Sequence, residues 1–133
     1  MNDTQIETKP VEVPVLPKKI SYDDFAKVEI RAGKILSAEK IPDTDKLLKL
    51  SVDFAEDKPR QIVSGISMYF PDPATLVGKV CMFVTNLEPR MIKGFESNGM
   101  LFALSTGPTP ENPNGNLSLL EPSSNIPVGT KAK

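Results

Sequence analysis

Hydrophobic positions in this chain come in short runs that alternate with polar ones, the period of two expected of strands with one face on a core. "KVEIRAGKILSAEKI", Lys27 to Ile41, sets Val28, Ile30 and Ala32 on one side and Glu29, Arg31 and Gly33 on the other. The phase shifts after Gly33, so that Ile35 leads a second half. This predicts a long strand bent at a glycine, as a barrel needs at a corner. "LLKLSVDFA" alternates through Leu48, Leu50, Val52 and Phe54, and "RQIVSGI" reads as a third strand after the turn "EDKP". "KVCMFVTNL" and "GMLFALST" are a fourth and a fifth. Between the third and fourth, "SMYFPDPATLVG" breaks the pattern with two prolines and closes on Gly78, which predicts a helix or turn. "SYDDF" predicts a short helical turn with Ser21 as its N-cap and Asp24 at the capping-box position. After the turn-rich "TGPTPENPNGN", "LSLLEP" is expected to add one more strand.

Five short strands with a helical segment between the third and fourth give the order β-β-β-α-β-β. That is the order of the five-stranded oligonucleotide/oligosaccharide-binding (OB) barrel, an all-β fold with one short helix, here with a C-terminal extension. A sandwich needs more strands in the same span.

The 133 residues fit one domain with room for one apolar core. Residues 1–20, with "KPVEVPVLPKK", are expected to be a flexible proline-rich segment, and 21–133 the folded domain. Apolar runs such as "VCMFV" fall far short of the about 20 residues that span a bilayer. The start "MNDTQIETKP" lacks the apolar core of a secretory signal, and lone Cys81 sits in an apolar run as a small buried hydrophobe. Together these place the protein in the cytoplasm, with no membrane partner.

The sequence contains no histidine, which excludes a histidine-based triad or zinc site, and a single cysteine excludes thiolate-cluster metals. No glycine-rich phosphate loop is present, so no cofactor is expected. Asp43 and Asp45 in "PDTDKL" read as an Asx turn capping the next strand rather than an acid/base pair or cation site. A binding module is favoured over an enzyme. The net charge of −1 argues at first against a nucleic-acid partner. Acidic residues gather in the leading segment and in "DFAEDK", however, which leaves room for a basic face elsewhere.

"KVEIRAGKI", "PDTDKLLKLSVDFA", "RQIVSGI", "LVGKVCMFVTNLEPR" and "GFESNGMLFA" follow one another as in the tRNA-binding domain family, which the chain resembles from about Phe25 to Ala103. That family includes appendages of methionyl-tRNA synthetases, stand-alone dimeric tRNA-binding proteins and export-related chaperones. The resemblance implies an OB barrel, with its core at about 25–104, that binds the folded body of tRNA without catalysis. It also implies a homodimer formed partly by residues 105–133, and a possible aminoacyl-tRNA synthetase partner. Asn86, Leu87, Pro89, Arg90, Gly94, Ser97, Gly99 and Met100 match the family's loop after the fourth strand. By resemblance Arg90 and Lys93 contact phosphates, Asn86 and Ser97 exchange hydrogen bonds with RNA, and Met100 offers a soft apolar surface. Met91 departs from the pattern, standing where relatives carry Lys or Arg, and one cation fewer weakens electrostatic affinity.

Arg31, Lys34, Lys46, Lys49 and Arg60 are candidates to continue a basic surface. Each lysine taken singly also reads as a solvated side chain, and Asn86 and Ser97 equally as turn hydrogen bonds. With no Trp and two Tyr, and with Phe54, Phe83 and Phe102 at core-like positions, a base-stacking platform is poorly supplied. Folded RNA, read by shape and phosphate, suits the chain better. The alternative is a dimeric chaperone that binds unfolded polypeptide through Met91, Ile92, Phe95 and Met100.

Overall fold

The alternation at Leu48, Leu50, Val52 and Phe54 makes one wall of the core, where all four side chains are fully buried. A computed structural model describes residues 18–133, so the reading of the segment 1–17 lies outside the described residues. In chain order the elements are helix α1 (Tyr22–Ala26), then strands β1 (Ile30–Lys40), β2 (Leu48–Asp53), β3 (Arg60–Ser64) and β4 (Val80–Val84). Five short strands follow: β5 (Arg90–Ile92), β6 (Phe95–Ser97), β7 (Met100–Leu101), β8 (Ala103–Ser105) and β9 (Leu117–Leu119). The main sheet runs β3-β2-β1-β4-β7 with every pairing antiparallel.

Its two edges nearly meet. The Val63 amide donates to Ser97 Oγ at 3.0 Å, the Asn98 amide to the Gln61 carbonyl at 2.8 Å, and Gln61 Nε2 to the Glu96 carbonyl at 3.0 Å. These bonds turn the sheet into a nearly closed five-stranded barrel of the OB type. Phe54 and Phe83 meet edge to face inside it, with ring centroids 5.3 Å apart. Burying each such side chain contributes about 1.5–3 kcal/mol. Cys81 packs among them, and burial pushes its thiol up to about 11.

The corner in β1 differs from the sequence expectation. Its pairing with β2 slips between Ile35 and Ser37, which makes exposed Leu36 the extra residue. Gly33 answers to packing instead: a Cβ there would come within 2.4 Å of the Phe54 ring. β1 is long enough to change partners, pairing with β4 over Ile30–Lys34 and with β2 over Lys34–Lys40. Along its first half the chain's end takes the place of β2. Ala32 N–H donates to the Thr130 carbonyl at 2.9 Å, while Gly129 and Ala132 amides donate back to Ala32 and Ile30 at 2.7 Å.

Two further expectations change in detail. The segment between β3 and β4 forms two 3₁₀ turns, Ser67–Tyr69 and Pro73–Leu76, because prolines 71 and 73 remove the amides an α-helix needs. The α-helix is the N-terminal one, where Ser21 Oγ accepts the Asp24 amide at 3.0 Å. The fifth strand is split. Met100–Leu101 belongs to the barrel, whereas Ala103–Ser105 leaves it to pair with β9, and Phe102 at the crossover is 40% exposed rather than core.

Candidate nucleic-acid interface

Two connections project beside each other from the barrel: residues 41–47 between β1 and β2, and residues 85–99 between β4 and β7. The second is itself a hairpin, with Arg90 opposite Ser97, Met91 opposite Glu96 and Ile92 opposite Phe95. Its two turn residues, Lys93 and Gly94, have φ of 51° and 86°. Positive φ at both positions is the geometry of a type I′ turn, which suits the twist of a hairpin and favours Asn-Gly. A lysine there accepts a costly backbone conformation and stands at the tip. The 41–47 connection is closed by Thr44, whose amide and hydroxyl donate to the Ile41 carbonyl at 3.3 and 2.9 Å. The expected Asx turn is therefore not what closes it: among the described residues neither Asp43 nor Asp45 accepts a hydrogen bond.

Between these connections lies a groove of about 520 Å³. Lys46, Arg90 and Lys93 line it together with Leu47, Met91 and Ile92, and Asp43 and Asp45 share the lining. Three residues singled out from sequence thus converge, and among the described residues none of the three forms an ion pair. Met91 is 68% exposed beside them.

The other candidates are placed differently. Arg60 Nε and Nη2 each donate to the Glu56 carboxylate at 2.8 Å, and Nη1 to the Thr85 carbonyl at 2.6 Å. Its guanidinium also lies 5.3 Å over the Phe54 ring. Arg31 sits between Glu29 at 3.2 Å and Glu56 at 4.0 Å, with Nη2 hydrogen-bonded to Glu29 and Nε close to that carboxylate but misaligned for a bond. The Thr85 hydroxyl donates to Glu29 at 2.7 Å, and this bond, helped by Arg31, holds the Glu29 carboxyl below its usual range. Hydrogen bonding with Arg60 lowers Glu56 in the same way, and raises Arg60 in return.

Asn86 is exposed, yet its side chain is bonded to the protein's own backbone. Its Oδ1 accepts the Glu29 amide at 2.8 Å and its Nδ2 donates to the Lys27 carbonyl at 2.5 Å. Buried Ser97 accepts from Val63 and donates to the Gly99 carbonyl at 3.2 Å. These four residues fix where the hairpin leaves the barrel. Lys34 is exposed and unpaired among the described residues, Met100 is 46% exposed, and Lys49 contacts Glu39 at 3.6 Å and the Phe95 ring at 4.8 Å. Sequence reading missed the Glu29–Arg31–Glu56–Arg60 chain. The one signal for it was Glu29 and Arg31 on the same side of the alternating stretch Lys27 to Ile41.

Residues 30–131 match the family model described as "Putative tRNA binding domain". The chain belongs to the tRNA-binding domain family. Among curated relatives, this tRNA-binding domain is 49% identical over 115 residues to a methionine–tRNA ligase of Methanospirillum hungatei, covering 86% of the chain and 16% of that enzyme. It is 52% identical over 90 residues to the methionine–tRNA ligase of Methanocella arvoryzae, covering 68% and 13%. The chain therefore spans only a small part of those relatives. Among solved structures it is similar to a MetRS-related protein from Pyrococcus horikoshii, with TM-score 0.74 and 37% identity over 88% of this chain and all of that one. It is also similar to the chaperone CsaA from Bacillus anthracis, with TM-score 0.70 and 27% identity over 87% of this chain and all of that one. No helix among the described residues is long and apolar enough to cross a membrane, and no group of three or more candidate metal ligands occurs among them.

Proposed function

We propose that this tRNA-binding domain recognises folded tRNA by its shape and phosphates and catalyses no reaction itself. It acts in the cytoplasm, on its own or as an appendage of a methionyl-tRNA synthetase. The observation that carries this reading is the convergence of Lys46, Arg90 and Lys93 on one groove without carboxylate pairing among the described residues. Unpaired cations of this kind engage phosphates and release counterions. Phe54 and Phe83 are buried, and the exposed rings of Tyr22, Phe25 and Phe102 are not among the residues that line the groove, so base stacking has no ring to work with there, which favours shape over sequence. Exposed Tyr22, Phe25 and Val28 form an apolar surface beside Lys131, Ala132 and Lys133, which supports a homodimer to which residues 105–133 contribute.

The test is a gel shift with total tRNA across a salt series, for wild type and Arg90→Ala/Lys93→Ala. Wild-type affinity falls steeply with salt, and the double variant loses about 1.5–2 units of the log–log salt slope. No binding by wild type at low salt overturns the function, and equal binding by the double variant overturns the site.

A second reading has its own observation. Met91 and Met100 are 68% and 46% exposed, adaptable apolar side chains suited to unfolded polypeptide, and CsaA is described as a chaperone. Preferential capture of unfolded polypeptide over tRNA in direct competition favours it.

A further inference from the structure

We propose that Asn86 controls RNA recognition without touching RNA: its side chain sets the stance of the β5/β6 hairpin, and through it the placement of Arg90 and Lys93. This rests on the tRNA reading above and adds a positioning residue to it.

The hairpin stands on two feet. One is built into the barrel, where the Glu96 carbonyl, Ser97 and Asn98 bond to Gln61 and Val63 of β3. The other is Thr85 with Asn86, and it rests on residues 27–29. Those three residues lie ahead of β1 and follow α1, a helix with no buried residue. From Leu87 to Met91 every residue is exposed, so Asn86 is the last bonded side chain before Arg90.

The β1–β4 ladder explains why an asparagine stands there. Its last pair is Ile30 with Val84, and the Thr85 amide adds one more bond, to the Glu29 carbonyl at 2.9 Å. Beyond this point the chain turns out toward the hairpin, which would leave the Glu29 N–H and the Lys27 carbonyl without a partner on the strand they face. A side-chain carboxamide carries the same acceptor and donor as a peptide group. Asn86 presents both, Oδ1 accepting from Glu29 at 2.8 Å and Nδ2 donating to Lys27 at 2.5 Å. The side chain thus continues the ladder while the backbone leaves it. Thr85 is held three times over, by Arg60 at its carbonyl and by Glu29 at its amide and its hydroxyl, so it stays in place when Arg60 is lost. The two Asn86 bonds have no duplicate. Without them the hairpin rests on its β3 foot alone, and its cations must be ordered at the moment of binding, a cost that subtracts from affinity.

Asn86→Ala in the full chain tests this, first without RNA and then with it. Without RNA, amide hydrogen exchange quickens about tenfold across residues 90–97 while β1, β2 and β4 keep wild-type protection. With total tRNA at low salt, the substitution lowers affinity about fivefold in the wild-type background but less than about twofold in Arg90→Ala/Lys93→Ala, because a hairpin stripped of its cations gains nothing from being well placed. A side chain that bonded RNA directly would cost the same factor in both backgrounds. One that only stabilised the fold would cost neither, once the folded fraction is allowed for. Either result overturns the proposal, and so does exchange that rises throughout the barrel or nowhere. The wild-type tRNA gel shift separates the two failures: tRNA bound with equal factors in both backgrounds sinks only the positioning role, whereas no tRNA binding sinks the function.

Discussion

Two charged regions of this barrel use the same residue types to opposite ends. In the chain Glu29–Arg31–Glu56–Arg60 every cation has a carboxylate within 4.0 Å, and Arg60 keeps all but 16% of its side chain from solvent. In the groove, Lys46, Arg90 and Lys93 stand beside Asp43 and Asp45 without pairing among the described residues. The first region spends its charge on holding the 85–99 connection to the barrel, through Thr85 and Arg60. The second keeps its charge available. A count of basic residues treats the two alike; only the placement of partners separates the paired arginines from Arg90, which is unpaired among the described residues.

The sharpest way to break that contrast is Arg60→Gln. It strips charge-assisted bonds to Glu56 and leaves the Thr85 carbonyl short of a donor, so chemical unfolding should show a loss of about 2–3 kcal/mol. Its tRNA salt slope should match wild type once the folded fraction is allowed for. Arg90→Gln should behave in reverse: stability within about 0.5 kcal/mol of wild type, but tRNA affinity down about tenfold and the slope reduced by about one unit. If the two variants share one profile, the distinction fails.

Acid reads the same contrast. Glu29 and Glu56 titrate below the ordinary value of 4.5 in the folded state, so the unfolded chain binds more protons in acid. Their contribution is complete above that value and is lost as pH falls through it toward the folded pKa values. Stability measured from pH 6 to pH 3 should therefore drop less in Glu56→Gln than in wild type, and parallel curves would remove Glu56 from the network. The smallest effect belongs to the hairpin tip. Lys93→Asn relieves the left-handed backbone and should gain up to about 1 kcal/mol of stability while weakening tRNA binding. A tighter-binding Lys93→Asn would mean the lysine contributes nothing to recognition.

The barrel was legible because its strands alternate cleanly: Leu48, Leu50, Val52 and Phe54 can face inward in only one register. The hairpin inside 85–99 was hidden because its strands have three residues each and its turn is Lys-Gly rather than Asn-Gly, so no periodicity and no turn signature marks it. Phe102 was read as core because strand alternation says nothing about a chain that changes sheets. The groove was half legible. Arg90 and Lys93 could be named, and so could Lys46, but Asp43, Asp45 and Lys46 meet Arg90 and Lys93 only after some 45 residues of intervening chain are folded away. Glu56 sits in a turn, and nothing near it in sequence announces Arg31 as its second partner. Asn86 and Ser97 illustrate the limit of motif reading: a matched polar residue can serve the scaffold as readily as the ligand.

A two-residue tip has no slack. Inserting one amino acid between Ile92 and Phe95 would exchange this tip for a three-residue loop, which keeps Ile92 opposite Phe95 only if the newcomer closes it with a bulge at positive φ. The finger is retuned more readily by exchanging side chains than by changing its length.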